Sequence, residues 1–217
     1  MSAENEFQPE KHPEVQRTQL TVYVVDDDPA IRDSISLSLS LRGYQIAQFA
    51  SAEDFLHAFD PEWMGCVVAD LRMPGLSGLQ LQAELVTRGS KLPVVIITGH
   101  GDISSARAAF LGQAIDFLEK PFDDEQLIGA LETAFQQELG RMNALAGQAR
   151  RELLLSSLSP REREVLTYLA RGLPAKEVGD QLGISHRTVE VHKAHIMEKL
   201  KVRNIIDIVR MGMISIE

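Results

Sequence analysis

Thr21-Val22-Tyr23-Val24-Val25-Asp26-Asp27-Asp28-Pro29 decides how the first two-thirds of the chain folds. The β-branched and aromatic run is strand-like. Three acids follow it directly, and Asp28-Pro29 reads as a helix cap with proline at the first helical position, where its missing N–H costs nothing. A strand that runs straight into a capped helix is the start of a β–α unit.

The pattern recurs downstream. Strand-length apolar runs lie at Gln45–Phe49, Cys66–Ala69, Val94–Ile97 and Ile115–Leu118. Helical stretches separate them, with cap signals at Ser51/Asp54 and Asp123/Gln126. Five such repeats predict an α/β domain, a parallel sheet covered by helices on both faces. After Phe122 the strand signal stops, and Asp123 to Arg151 reads as one long or broken helix carrying Gly129, Gly140 and Gly147.

An all-helical segment follows. Ser159-Pro160-Arg161-Glu162 is a capping box with proline at its first position, and Gly172 and Pro174 stop the helix it begins. A short helix is expected over Ala175–Leu182 and a turn at Gly183-Ile184-Ser185. Ser185 then caps a helix over His186–Leu200, and a fourth is expected from about Asn204 to Met213. The predicted division is a tail over 1–18, an α/β domain over 19–137, a helical linker over 138–157 and a four-helix domain over 158–217.

The net charge of −9 is unevenly spread: ten basic and eight acidic residues lie from Ser156 onward, twelve and twenty-three before it. Two modules with different partners are the expected cause. The single cysteine, Cys66, excludes an internal disulfide and a cysteine-rich zinc site, and its apolar surroundings make it a buried small hydrophobe in a reducing compartment. No apolar run approaches the ~18 residues of a membrane span, and the polar first residues lack a signal-peptide core.

In a doubly wound sheet the carboxyl ends of the strands share one edge, so Asp26, Asp27, Asp28, Asp70, Thr98 and Lys120 should meet there. Clustered carboxylates repel by about 1–4 kcal/mol per close pair, and a hard divalent cation relieves that repulsion. A carboxylate beside such a cation can attack a phosphoryl group, while Lys120 supplies an ammonium and Thr98 a hydroxyl to the transferred oxygens. Taken singly, each of these residues is more often part of a solvated loop; their conjunction at successive strand ends carries the reading.

Four motifs in order resemble receiver domains of the FixJ type: Val24-Val25-Asp26-Asp27-Asp28, Asp70-Leu71-Arg72-Met73-Pro74-Gly75, Thr98-Gly99-His100-Gly101-Asp102 and Phe117-Leu118-Glu119-Lys120-Pro121-Phe122. The resemblance implies a flavodoxin-like sheet of strand order 2-1-3-4-5. It makes Asp70 the phosphoacceptor. Asp26, Asp27, Asp70 and the Arg72 backbone carbonyl become the ligands of Mg²⁺ or Mn²⁺. Lys120 becomes a phosphate contact preceding a cis proline, and Thr98 and Phe117 become the switch pair; a static core aromatic is the plainer reading of Phe117. Gln113 stands where such receivers commonly have glycine, so a differently shaped loop is expected there. His100 is either a tuner of dephosphorylation or a solvated side chain.

Leu158-Ser159-Pro160-Arg161-Glu162-Arg163-Glu164-Val165-Leu166 and Ile184-Ser185-His186-Arg187-Thr188-Val189-Glu190-Val191-His192 are similar to the LuxR/NarL-type helix-turn-helix. Val189, Ile196 and Leu200 would face its core, with His192 packed near them. Val191 and Ala194 are placed to touch thymine methyls and Glu190 to accept from cytosine; Arg187, Thr188, Lys193, Lys199 and Arg203 complete the expected DNA contacts. Without that resemblance, an amphipathic helix with a solvated charged face would be the default. The family places dimerisation at Ile205, Ile208 and Val209.

The expected protein is therefore a cytoplasmic bacterial response regulator rather than an enzyme. It is phosphorylated by a sensor histidine kinase and dimerises to bind a two-fold-symmetric site in double-stranded DNA, with RNA polymerase as a further partner and no membrane association. An aspartate-nucleophile phosphatase would need an acid two residues beyond the nucleophile, where Arg72 stands. A protein adaptor that binds no DNA is the other competing class.

Overall fold

The computed structural model describes residues 20–99, 103–204 and 207. The predicted tail, His100, all of the final helix but Asn204 and Asp207, and the proposed dimerisation residues Ile205, Ile208 and Val209 lie outside the described residues. Chain contacts divide the molecule into two compact units, with the boundary between Asn143 and Ala144.

The first unit alternates strands and helices: β1 (Thr21–Val25), α1 (Pro29–Ser40), β2 (Gln45–Phe49), α2 (Ala52–Ala58), β3 (Gly65–Asp70), α3 (Gly78–Thr87), β4 (Val94–Thr98), α4 (Ile103–Leu111), β5 (Asp116–Glu119) and the start of α5 (Asp124–Ser156). All pairings are parallel and the order is β2-β1-β3-β4-β5. The five-stranded sheet and its order are those expected.

The pleat sends alternate side chains to opposite faces, giving two cores. Val22, Val24, Cys66, Val68, Val95 and Ile97 pack against α1 and α5 through Ile35, Leu39, Leu127, Leu131 and Phe135. Val25, Val67, Ala69, Val94 and Ile96 pack against α2 to α4 through Phe55, Leu56, Leu81, Leu85 and Ala109. Each fully buried side chain of this size contributes roughly 1.5–3 kcal/mol relative to exposure. Cys66 is fully buried, and that burial pushes its thiol pKa up, as suits an inert core residue.

The helix starts obey their local chemistry. Asp28 accepts from the Ala30 N–H and Ser51 from the Asp54 N–H. Asp123 and Gln126 exchange side-chain and backbone bonds at 2.8 and 3.0 Å.

Gln113 departs from expectation: it adopts φ +67°, the conformation a glycine would take. The cost of that conformation for a residue with a Cβ is about 1–2 kcal/mol. The surrounding bonds enforce it. The Ala114 N–H closes on the Ala109 carbonyl at 2.9 Å, and the buried Gln82 amide donates to the carbonyls of Ala109 and Gly112 at 3.2 and 2.8 Å. The end of α4 is thus closed as a helix terminus that glycine normally supplies.

α5 is continuous over Asp124–Ser156, so residues 138–156 of the expected linker are helical. Leu139 and Met142 pack on the first unit's core; Leu154 and Leu155 pack on the second's. Buried Glu138 is held by Arg141 Nη2 and Nε at 2.7 and 2.8 Å. No described helix is long and apolar enough to cross a membrane.

In the second unit, α6 (Pro160–Ala170), α7 (Ala175–Leu182) and α8 (His186–Leu200) enclose Leu158, Val165, Leu166, Val178, Val189, Ile196 and Leu200. Gly183 at φ +67° turns the chain out of α7. At Gly179 a Cβ would lie 2.7 Å from the Ile184 carbonyl oxygen, so α7 can approach the turn only with glycine there.

Candidate phosphoryl and nucleic-acid sites

Parallel register brings the predicted acids to one edge. Asp70 ends β3 opposite Ile97, one residue short of Thr98, and the Lys120 N–H donates to the Thr98 carbonyl at 2.6 Å. The Lys120 ammonium bridges Asp26 Oδ2 at 2.7 Å and Asp70 Oδ1 at 2.6 Å. Asp26 Oδ1 accepts the Asp28 N–H at 2.9 Å, and Asp70 Oδ2 accepts the Arg72 N–H at 2.6 Å. Asp26, Asp70 and Thr98 are all buried. The Lys120-Pro121 peptide is cis, as expected, and Phe117 is half-buried against the α2–α4 core.

Burial raises the Asp70 pKa, and this outweighs the opposing pull of Lys120 and the Arg72 N–H. Burial works the other way on Lys120, but its bonds to Asp26 and Asp70 prevail and its pKa is raised. The pair is thus a held carboxylate beside a firmly protonated ammonium. Asp27, expected as a direct metal ligand, is exposed, and no three His, Cys, Asp or Glu side chains form a metal-holding group among the described residues. Asp28 is committed to the α1 cap, and the two carboxylates that do meet are joined by Lys120.

On α8, Val189, Ile196 and Leu200 are buried and His192 is half-buried, as expected. Arg187, Thr188, Glu190, Val191, Ala194, His195 and Glu198 are exposed. Positions 187, 190, 191, 194, 195 and 198 share one helical stripe. Two of the expected phosphate-binding cations have partners within the unit. Lys193 lies 3.5 Å from Glu190, and Lys199 bonds Glu162 at 2.7 Å. Arg203 is exposed beyond the end of α8.

The Lys199–Glu162 bond ties the C-terminal turn of α8 to the capping box of α6, where Glu162 also accepts the Ser159 N–H at 2.7 Å. Lys199 and then Ser159 hold the Glu162 carboxyl down at about 2. A carboxyl whose folded pKa lies below the ordinary ~4.3 stabilises the unit fully above that value. That stabilisation is lost as pH falls from about 5 toward 2. Glu162→Gln should keep the capping box, as Gln80 does in α3, but lose the charge that meets Lys199; it should flatten the acid dependence of the helical unit and cost it about 1 kcal/mol at neutral pH. Far-UV circular dichroism melts at stepped pH test this, while fluorescence of the sole tryptophan, Trp63, follows the first unit separately. A variant as acid-sensitive as the parent would remove Glu162 from the account.

Sequence reading missed two positions that shape these sites. Glu53 holds the loop after Asp70, and Gln82 closes the end of α4. Both act through tertiary contacts that no local pattern encodes.

Comparison with known proteins follows the same division. Residues 22–132 match the response regulator receiver domain family, and residues 156–212 match the luxR family of bacterial regulatory proteins. The chain is 42% identical to the transcriptional regulatory protein FixJ of Azorhizobium caulinodans over 90% of its own length and 93% of that protein's. It is 38% identical to nodulation protein W of Bradyrhizobium diazoefficiens, over 90% and 86% of the two chains. Among solved structures, the response regulator StyR matches at TM-score 0.81 and 41% identity, covering 89% of this chain and 98% of that one. Full-length FixJ from B. japonicum matches at TM-score 0.57 and 38% identity, covering 91% and 99%.

Proposed function

Because the chain belongs to the FixJ-like response regulators, a receiver domain followed by a LuxR-family DNA-binding domain, we propose that it is a phosphorylation-controlled transcription factor whose phosphoacceptor is Asp70. The observation that carries this reading is the convergence of Asp70, Asp26 and Lys120 at 2.6–2.7 Å on the carboxyl edge of the sheet. An Asp70 carboxylate oxygen attacks the phosphorus of a kinase phosphohistidine; the P–O bond forms, the P–N bond breaks with its electron pair going to the imidazole nitrogen, and the imidazole takes a proton from solvent as it leaves. Lys120 holds the carboxylate and then meets the new phosphoryl charge, and the Arg72 N–H fixes the second carboxylate oxygen.

The donors fit a hard divalent cation. Asp26, Asp70 and the Arg72 carbonyl offer oxygen alone, and two carboxylates facing one ammonium leave negative charge to be met. Mg²⁺ or Mn²⁺ held by Asp27, Asp70 and the Arg72 carbonyl, with Asp26 mostly through water, would neutralise the transferred phosphoryl oxygens. Thr98 and Phe117 carry the change to the surface formed by α4, β5 and α5. Receiver pairing then raises the effective concentration of the DNA-binding units on a two-fold-symmetric site. Ile205, Ile208 and Val209 would serve the dimer, a contact to RNA polymerase would follow, and the bacterial cytoplasm is the expected compartment.

The decisive experiment is selection of DNA from a genomic pool with Mg²⁺, with and without beryllofluoride as a phosphoryl mimic. Enrichment of a two-fold-symmetric site mainly with beryllofluoride is the expected result. Equal enrichment would keep the DNA function but remove the switch, and no enrichment would point to an adaptor.

A further inference from the structure

The stretch from Leu71 to Ser77 follows Asp70 directly and includes Arg72, whose carbonyl is the expected backbone ligand. Its beginning is fixed from the sheet: the Leu71 N–H donates to the Ile97 carbonyl at 2.7 Å and the Arg72 N–H to Asp70. Its end is fixed from α3. Ser77 and Gln80 form a capping box, the Gly78 N–H bonds the Leu71 carbonyl at 3.1 Å, and a Cβ at Gly78 would lie 2.4 Å from the Asp70 carbonyl oxygen. Between these ends come Met73-Pro74-Gly75-Leu76, with a proline that offers no N–H and a glycine at φ +78°.

Glu53 holds this middle part from another element. Its Oε1 accepts the Leu76 N–H at 2.8 Å, and a Cβ at Gly75 would lie 2.3 Å from the same oxygen, so the carboxylate rests against the loop backbone. The support behind Glu53 is firm. It is the second residue of α2, which is capped by Ser51 and anchored by buried Ala52, Phe55 and Leu56. The bond itself is exposed, so its worth to global stability is small. Its consequence is geometric, because it sets where the turn sits and therefore how the peptide after Arg72, whose own N–H is already tied to Asp70, is turned.

We propose that Glu53 is a positioning residue for the cation site: acting through Leu76 and Gly75, it holds the loop so that the Arg72 carbonyl is presented beside Asp70 and Asp26. This rests on the phosphoswitch reading above. Groups behind the direct ligands commonly govern affinity more than stability. The carboxylate's role is as an acceptor, not as a charge, so an amide in its place preserves the loop.

The test is Mn²⁺ binding to the full chain, read by electron paramagnetic resonance of the free ion, for the parent, Glu53→Ala and Glu53→Gln, with Mg²⁺ competition. Glu53→Ala should weaken Mn²⁺ binding about tenfold, and Glu53→Gln should stay within about twofold of the parent. Both should melt within about 2 °C of it, since little global stability is at stake. Glu53→Ala with parental affinity overturns the inference. Glu53→Gln as weak as Glu53→Ala also overturns it, since charge alone would then be the cause. A parent chain that takes up no Mn²⁺ defeats the phosphoswitch reading and this inference with it.

Discussion

Asp70→Asn should leave the full chain unlabelled by a phosphodonor, with uptake below about one-thousandth of the parent's, because an amide cannot form the acyl phosphate. Beryllofluoride should then no longer change DNA selection. The variant separates chemistry from folding. The parent buries two carboxylates against one ammonium, whereas the asparagine chain keeps only the Asp26–Lys120 pair. Removing one of two facing charges relieves repulsion, so the melting temperature of the first unit should hold or rise. The pH profile of the parent supplies a second handle. Burial raises the Asp70 pKa, so the ionised nucleophile is depleted at a higher pH than for an ordinary aspartate. Carbon NMR of the metal-free chain should show the Asp70 carboxyl titrating above an ordinary aspartate, and a bound cation should oppose that shift. Labelling of Asp70→Asn at the parental rate would place the phosphoacceptor elsewhere.

Much of this fold was legible because its determinants are local. The five strands are short apolar runs, and the limits of α7 and α8 follow from Gly183, the Ser185 cap and hydrophobic spacing. What escaped depends on residues distant in sequence. The left-handed Gln113 is enforced by Gln82, whose side chain reaches 30 residues along the chain to Gly112. Lys199 was expected at a phosphate from its place on α8; its bond to Glu162, 37 residues away, is a tertiary contact that the sequence around it does not announce. The same Glu162 was legible as the third helical residue of a capping box, so the local half of its role could be read and the tertiary half could not. Asp27 is the converse case. A run of three acids marks the site, but the turn commits Asp26 to Lys120 and Asp28 to the cap, leaving Asp27 exposed. Glycines at 129, 140 and 147 raised the prospect of a broken helix, but α5 runs through all three. A glycine costs about 1 kcal/mol in a helix, which packing such as that of Leu131 and Phe135 offsets.

Ala194→Glu should abolish specific DNA binding, weakening it about a hundredfold or more, since like charges brought together at an interface cost several kcal/mol. Ala194 is exposed on the stripe that also carries Arg187, Val191 and His195, opposite the buried Val189, Ile196 and Leu200. If that stripe enters the major groove, a carboxylate at 194 replaces a small apolar contact with a longer acidic one facing base edges and phosphates. The site has little spare positive charge to absorb it. Glu190 already occupies the stripe with Lys193 3.5 Å away, and Lys199 is engaged by Glu162. The fold should tolerate the change, because glutamate is a good helix former and the added repulsion with Glu190 and Glu198, four residues to either side, costs only about 1 kcal/mol in all. Thr167→Glu on α6 is the matched control, an exposed position away from that stripe with the same change in charge. Fluorescence anisotropy on the selected site, with beryllofluoride present and salt varied, reads both variants. The control should lose little and shift only with ionic strength, while Ala194→Glu should fail at every salt concentration, because a carboxylate shut into the groove against base edges is screened far less than one on the open surface. Equal behaviour of the two variants would mean that α8 does not read the groove, and the specificity of this regulator would have to come from another surface of its helical unit.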